Sequence, residues 1–317
     1  MILAQFLKSL EHNCSKKPES LWPLRYYLGK NSPDNQSPPH FKDAYAKVLA
    51  YSIFMAEQEK KLSLLLDSIN ASHLLFKGLD IESRFYPGPG TRPQSDIDLL
   101  VDPAAMPQIH TLLVENGFAF NWSGNYHHVY KKDSISFEIH TAFCSYKYLL
   151  YFDLLNLNYL DLFQTKSLSP ELYLLCCAIQ FYDENASRPI PLVDMYQIIS
   201  SGIDLHAWTE LVKNRSAGFP VYFAHFWMEE HLGYSPWTEE LLAPLGWDNA
   251  KKNIAAMVVK TQNIKEKDFW TLFRMADNKP MKLLRTFFPP KEVYAGHVGA
   301  GRFPLLAHIL KTARRLL

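Results

Sequence analysis

Two aspartates stand one residue apart at the start of an apolar run, in the stretch GTRPQSDIDLLVD. If DIDLLV forms a strand, alternation places Asp96 and Asp98 on one face and Ile97 on the other. Two carboxylates on one face repel each other unless a cation lies between them, and hard divalent cations such as Mg²⁺ prefer such oxygen ligands. The alternative is an exposed strand entrance with two solvated carboxylates, so the surrounding residues have to decide.

A third carboxylate occurs on a later apolar strand, in the sequence SISFEIH. Alternation puts Glu138 and His140 on one face of that strand and Phe137 on the other. Glu138 could simply face solvent, or it could complete a metal centre shared with Asp96 and Asp98. His140 would then support the metal ligands or face the space beside them.

Groups suited to a phosphate chain lie between these carboxylates and the preceding predicted strand, HLLFKG. Gly78 ends that strand before a short predicted helix, where a glycine lets a phosphate approach the backbone amides at the helix start. Lys77, Arg84 and Arg92 lie near the loop PGPGTRPQS and suit a triphosphate. A glycine that ends a strand and exposed cations are each common without such a role.

Histidine and cysteine patterns point away from a zinc site. His127, His128 and His140 lie in neighbouring predicted strands, but no cysteine is near them at ligand spacing. We therefore interpret His127 and His128 as surface residues of a hairpin. The cysteines have no C-x-x-C spacing and are expected to be reduced and mostly buried. They are Cys14, Cys144, Cys176 and Cys177.

Composition excludes several classes of protein. The chain has 317 residues, of which 48% are hydrophobic and 21% charged, as in a folded globular protein. A net charge of +1 argues against nucleic acid as a main partner. A run of 18 apolar residues and the features of a signal peptide are both missing, so we expect a cytoplasmic protein without a membrane partner.

The order of predicted elements is that of an α+β protein. Residues 1–40 are expected to be an irregular segment, because positions 17–40 are rich in Pro, Ser, Asn and Lys. Residues 41–150 are predicted to form a domain with a long helix, the strands described above and a small sheet. Residues 151–317 are predicted to form a mainly helical domain that ends with the helix LLAHILKTARRLL.

The set LLFKG, RFYP, RPQSDIDLLV, ENGF, HHVY and FEIH resembles the nucleotidyltransferase superfamily of the DNA polymerase beta type. Within it, the set resembles the bacterial group called nucleotidyltransferase family proteins. The resemblance is strong over residues 73–143, extends weakly into the helical half, and implies a polymerase beta-like domain with a small mixed sheet. Leu79 follows Gly78 where the superfamily has serine, and the gap between Gly78 and Asp96 is longer than usual.

This resemblance implies metal-dependent transfer of a nucleoside monophosphate from a nucleoside triphosphate to a hydroxyl group, with release of pyrophosphate. The acceptor would be a small molecule, a peptide or a protein. Asp96, Asp98 and Glu138 would be the catalytic residues and would hold two Mg²⁺ (or Mn²⁺) ions.

Nucleotide binding would fall to Lys77, Gly78 and Arg92, with His140 and Arg84 in supporting positions. Two alternatives stay open. One is a phosphotransferase that uses the same site, and the other is a non-catalytic nucleotide-binding or antitoxin-like interaction module.

Overall fold

The structure, a computed structural model, describes residues 3–13, 17–30, 37–124, 126–144, 159–184 and 186–247. It also describes single positions at 249, 252, 253, 255, 256, 259 and 288. Cys14 and the expected helix at the end of the chain lie outside these residues. Within the described ranges, every helix is too short or too polar to cross a lipid bilayer.

Much of the segment expected to be irregular is helical. Helix α1 spans Leu3–Asn13, a 3₁₀ turn spans Pro18–Leu21, and helix α2 spans Trp22–Gly29. The prediction of an irregular segment over residues 1–40 is therefore wrong for these stretches. The 3₁₀ turn and α2 each carry a proline in the first turn, where its missing N–H costs nothing. The side chains that α1 and α2 bury are Phe6, Leu7, Leu10, Pro23 and Leu24.

The long helix and the strands follow as the pattern of apolar residues predicts. Helix α3 spans Pro39–Asp67, strand β1 His73–Phe76, helix α4 Gly78–Phe85 and strand β2 Asp96–Val101. A 3₁₀ turn over Pro103–Ala105 leads into helix α5, Met106–Glu115. Three strands complete the sheet: β3 Ala119–Ser123, β4 His127–Lys132 and β5 Ile135–His140.

The five strands form one mixed sheet in the order β1-β2-β5-β4-β3. Strands β2 and β5 are parallel, and the other neighbouring pairs are antiparallel. The β2–β5 register pairs Asp96 with Ser136 and Asp98 with Glu138. This parallel pair, which is distant in sequence, therefore places carboxylates from two strands side by side.

Each face of the sheet is covered by a separate apolar cluster. Ile97, Leu99 and Ile139 pack on one side with α3 and α5. Leu74, Phe76 and Leu100 lie on the other side, in a cluster that also contains α1 and the helical half. Asp98 shares this second face because it alternates with Ile97 and Leu99. The carboxylates therefore lie between the sheet and the helical half.

The helical half begins with α6, Tyr159–Thr165, and α7, Pro170–Asp183. Ser169 caps α7, as the sequence predicts, by accepting a hydrogen bond from the amide of Leu172 at 3.2 Å. Among the described residues, the helices that follow are α8 Ile190–Ser200, α9 Leu205–Asn214, α10 Gly218–Leu232 and α11 Glu239–Leu242. Helix α7 is central, because it packs against α8, α9 and α10. The described structure is thus an α+β fold, and the two-domain division at residue 150 stays a prediction.

Gly90 holds the loop between α4 and β2 against α3. Its φ is +76°, and a Cβ there would lie 2.5 Å from Leu49 Cα and 2.9 Å from Leu49 N. We expect Gly90→Ala to lower the free energy of unfolding by about 2–4 kcal/mol, since left-handed strain and a backbone clash add. Gly117→Ala is the matched control, because φ there is +81° with nothing within 4 Å of the new Cβ.

The control should cost only about 1 kcal/mol in urea denaturation. Equal losses in the two variants would mean that the loop moves away from Leu49 without cost.

Candidate active site

Asp98 is the centre of a cluster of charged groups on the face of the sheet that the helical half covers. Its Oδ1 lies 2.7 Å from His140 Nε2 and 3.3 Å from Lys77 Nζ. Glu138 Oε2 lies 3.3 Å from the same His140 nitrogen. With the proton placed on Nε2, His140 donates to Asp98. The predicted site residues Lys77, Asp98 and Glu138 are thus brought together around His140.

Asp96 stands apart from this group, at the start of β2. Asp98, Glu138 and His140 each offer a ligand atom, and these atoms all lie within 4.8 Å of one another. Asp96 is not in that set, but it faces the same cleft as Asp98 and Glu138. Two of the three expected metal ligands are therefore already close together, and the third borders the space that they face.

The pKa values show where negative charge is compensated. Burial acts to raise the pKa of Asp98, but Lys77 and the hydrogen bond from His140 outweigh it and lower the pKa below its usual value. Burial also acts to raise the pKa of Glu138, but the hydrogen bond from His140 and the nearby positive charge outweigh it, so this pKa is lowered as well. Burial and the carboxylates of Asp98 and Glu138 raise the pKa of Asp96 to about 6. The negative charge at Asp96 is therefore the least compensated of the three.

Lys77 carries backbone strain at the point where β1 turns into α4. Its φ is 54° and its ψ is −129°, a combination that residues with a side chain rarely adopt. Burial alone would lower the pKa of Lys77, but Asp98 and other acidic neighbours raise it above its usual value. The strained backbone thus holds a permanent positive charge against the carboxylate of Asp98.

A cleft of about 340 Å³ opens in front of these carboxylates. The predicted residues Lys77, Gly78 and Arg92 line it together with Asp96, Asp98 and Glu138. It is also lined by residues that sequence reasoning missed. These are Lys17, Ser20, Gln94, Gln180, Glu184 and Arg188. They come from the N-terminal 3₁₀ turn and its cap, the loop before β2, the end of α7 and the segment that follows α7, so no local pattern could have grouped them.

Arg92 is bound mainly by the helical half. Its Nε donates to Asp194 Oδ1 at 2.8 Å and its Nη2 donates to Asp194 Oδ2 at 2.9 Å. Tyr86 also donates to Asp194 Oδ1, at 2.6 Å. Arg92 is nearly buried, yet it borders the cleft. Its predicted role in nucleotide binding stays a prediction, and its observed contacts join the loop before β2 to α8.

Two other predicted residues have clear structural contacts. A Cβ at Gly78 would lie 2.9 Å from Gln94 Oε1, so the glycine allows this side chain to approach the start of α4. Arg84 donates to Asp80 Oδ2 at 3.1 Å and to the carbonyl of Leu168 at 2.8 Å. Arg84 therefore joins α4 to the segment before α7, and it does not line the cleft.

His127 is buried, so its interpretation as a surface residue is wrong. The reason is topological, since β4 lies inside the sheet between β5 and β3. Its ring centroid lies 5.2 Å from that of His140, and burial together with His140 lowers the pKa of His127 to about 4. His128 is half-buried on the opposite face of β4.

The donor set fits a hard divalent cation. Asp96, Asp98 and Glu138 supply carboxylate oxygens, which Mg²⁺ and Mn²⁺ prefer. Burial, and then the charges of Asp98 and Glu138, raise the pKa of Asp96, and a bound cation would oppose both effects. His140 already contacts Asp98 and Glu138 through one nitrogen, so it suits a role behind the carboxylates rather than a place as a ligand.

The small mixed sheet holds carboxylates on two neighbouring strands, beside a cleft with basic residues. This is the arrangement expected of a nucleotidyltransferase. The family described as "Uncharacterised nucleotidyltransferase" matches residues 18–232. The chain belongs to this family. Among curated proteins and among solved structures, none matches the chain.

Proposed function

We propose that the protein transfers a nucleoside monophosphate from a nucleoside triphosphate to a hydroxyl group, with release of pyrophosphate. The acceptor is a small molecule, a peptide or a protein, and the reaction depends on Mg²⁺ or Mn²⁺. One observation carries the proposal: Asp98 and Glu138 are register partners on parallel strands, and Asp96 precedes them at the mouth of the same cleft.

Each part of the cleft has a role in this reaction. Asp96, Asp98 and Glu138 would hold the cations, which when bound stabilise charge on the attacking and leaving oxygens. Lys77 and Arg92 would offset the negative charge of the phosphates that leave. His140 orients the carboxylate of Asp98 through the 2.7 Å contact described above.

The balance of the reaction is simple. The acceptor oxygen bonds to the α-phosphorus as the bond from that phosphorus to the bridging oxygen of pyrophosphate breaks. Glu138 would accept the proton of the acceptor hydroxyl, because its lowered pKa keeps it ionised and it faces the cleft. The rigid strands hold these groups in place, which is what an in-line displacement needs.

The test is to follow two labels in parallel. Nucleoside triphosphates labelled at the α- or the γ-phosphorus are incubated with Mg²⁺, the protein and a panel of hydroxyl-bearing sugars, peptides and proteins. We expect the α-label on an acceptor and an equal amount of pyrophosphate. Transfer of the γ-label would instead show a phosphotransferase. Binding of nucleotide without transfer of either label would show a non-catalytic module.

A further inference from the structure

A second cavity, of about 130 Å³, lies beside the cleft and shares part of its wall. Lys77, Gln180 and Glu184 border both spaces. The cavity lies between α4, the segment after β5, and α7. We call it the side cavity. None of the three carboxylates of the candidate active site lines it.

Most of the wall of the side cavity is aromatic or aliphatic and suits a flat ring, with Asp183 and Glu184 as its acidic residues. Tyr126, Phe143 and Tyr173 supply aromatic surfaces, and Ile81 and Ile179 supply apolar ones. Aromatic rings favour stacked or edge-to-face contacts with another flat ring. The volume is enough for several water molecules, so one ring system can enter it.

The thiols of the side cavity add no charge. Burial raises the pKa of Cys176 to about 12, and it raises the pKa values of Cys144 and Cys177 well above the usual value. All three cysteines are free, and they behave as small apolar groups at neutral pH. Among the described residues, Lys77 is the one basic side chain that lines this space, and Asp98 already contacts it. The side cavity therefore does not suit a phosphate.

Hydrogen-bonding groups stand where the side cavity meets the cleft. Gln180 donates to Glu184 Oε1 at 3.1 Å, and Arg188 contacts the same oxygen at 3.3 Å. Glu184 Oε2 is buried and has no hydrogen-bond partner among the described residues. A buried acceptor of this kind calls for a donor, which the N–H edge of a heterocycle or a ribose hydroxyl would supply.

A nucleoside triphosphate has one polyanionic end and one neutral aromatic end, and the two adjacent spaces match these ends. The cleft offers basic residues and the carboxylates for cations, and the side cavity offers a mainly apolar and aromatic wall with acidic acceptors at one end. We infer that the side cavity holds the nucleoside base, with Glu184 accepting a hydrogen bond from the nucleoside. This inference rests on the proposed function and adds where the nucleotide is recognised.

The experiment compares two probes in the presence of Mg²⁺. One is tripolyphosphate, which can occupy only the cleft, and the other is the α,β-methylene analogue of each nucleoside triphosphate, which cannot react. Cys176→Phe fills the side cavity. We expect its affinity for the preferred analogue, divided by its affinity for tripolyphosphate, to fall about tenfold to hundredfold below the wild-type ratio. Retained binding of tripolyphosphate shows that the variant is folded.

A second variant keeps the test valid if Cys176→Phe does not fold. Glu184→Gln preserves the shape of the side chain and is expected to lower the same ratio about threefold to tenfold. Glu171→Gln is the matched control, because Glu171 lies in the first turn of the same helix and borders neither space. It should leave the ratio unchanged.

The outcomes separate the inference from the proposed function. If the wild type binds neither probe, the proposed function fails and the inference falls with it. If the wild type binds both and Cys176→Phe keeps the wild-type ratio, the base lies elsewhere and the inference alone is wrong. A variant with the wild-type ratio that no longer transfers nucleotide would assign the side cavity to the acceptor and would also overturn the inference.

Discussion

Asp98→Asn is expected to lower the rate of nucleotidyl transfer on the order of a thousandfold. Asp98 is the carboxylate that both Lys77 and His140 contact, and it is opposite Glu138 in the sheet. A bound cation contributes several kcal/mol of charge stabilisation in the transition state, and each 1.36 kcal/mol is a factor of about ten in rate. The amide of asparagine keeps the shape of the side chain but removes the charge that holds the cation.

The measurement is the rate of α-label transfer at saturating nucleotide, with the melting temperature taken in parallel to check folding. Asp102→Asn is the control, since Asp102 lies outside the cleft and caps the 3₁₀ turn through the amide of Ala104, a bond that asparagine can also accept. An Asp98→Asn protein that folds and transfers at more than a tenth of the wild-type rate would remove Asp98 from the catalytic group.

Asp194→Ala is expected to lower the free energy of unfolding by about 3–5 kcal/mol. The change leaves the guanidinium of Arg92 buried without its carboxylate partner, and removing one partner of a buried pair is far more costly than replacing both. Both side chains are largely inaccessible, at 10% exposure for Arg92 and 2% for Asp194. Tyr86 also loses the acceptor of its hydroxyl group.

Urea denaturation measures this loss, and two further variants separate its causes. Asp204→Ala removes an exposed cap, which accepts from the amides of His206 and Ala207, and should cost about 1 kcal/mol. Asp194→Leu combined with Arg92→Met should recover part of the loss, because neither charge then stays buried. If the double variant is as unstable as Asp194→Ala, packing around α8 rather than the unpaired arginine sets the cost.

Features that depend on neighbouring residues could be read from the sequence. The alternation of Asp96, Ile97 and Asp98 places the two carboxylates on one face, because the period of a strand is a local property. The cap at Ser169 and the proline after it mark the start of α7 in the same way. Alternation alone left Glu138 as either a solvent-facing residue or a metal ligand. The family resemblance, strong over residues 73–143, favoured the metal ligand.

Features that depend on contacts between distant parts of the chain could not be predicted from the sequence. Asp194 lies 102 positions from Arg92, and no periodicity links the two residues. Gln180 and Glu184 reach the cleft only because α7 packs beside the sheet, so their place follows from tertiary packing. The 3₁₀ turn and α2 escaped prediction for a different reason, because a proline in the first turn of a helix has the same local sequence signal as a proline in a loop.

One apolar cluster contains residues of α1, of the cleft-facing side of the sheet and of the helical half. The helical half therefore cannot be exchanged independently of the sheet. Phe76 and Leu100 from the sheet share that cluster with Tyr173 of α7 and Phe223 of α10. Recombination that exchanged the helical half would leave these sheet residues against a foreign surface, with the cost of cavities or overpacking. Substitutions at the borders of the two cavities leave this shared interior intact, so they can reshape the cavities without the loss of stability that exchange of the helical half would bring.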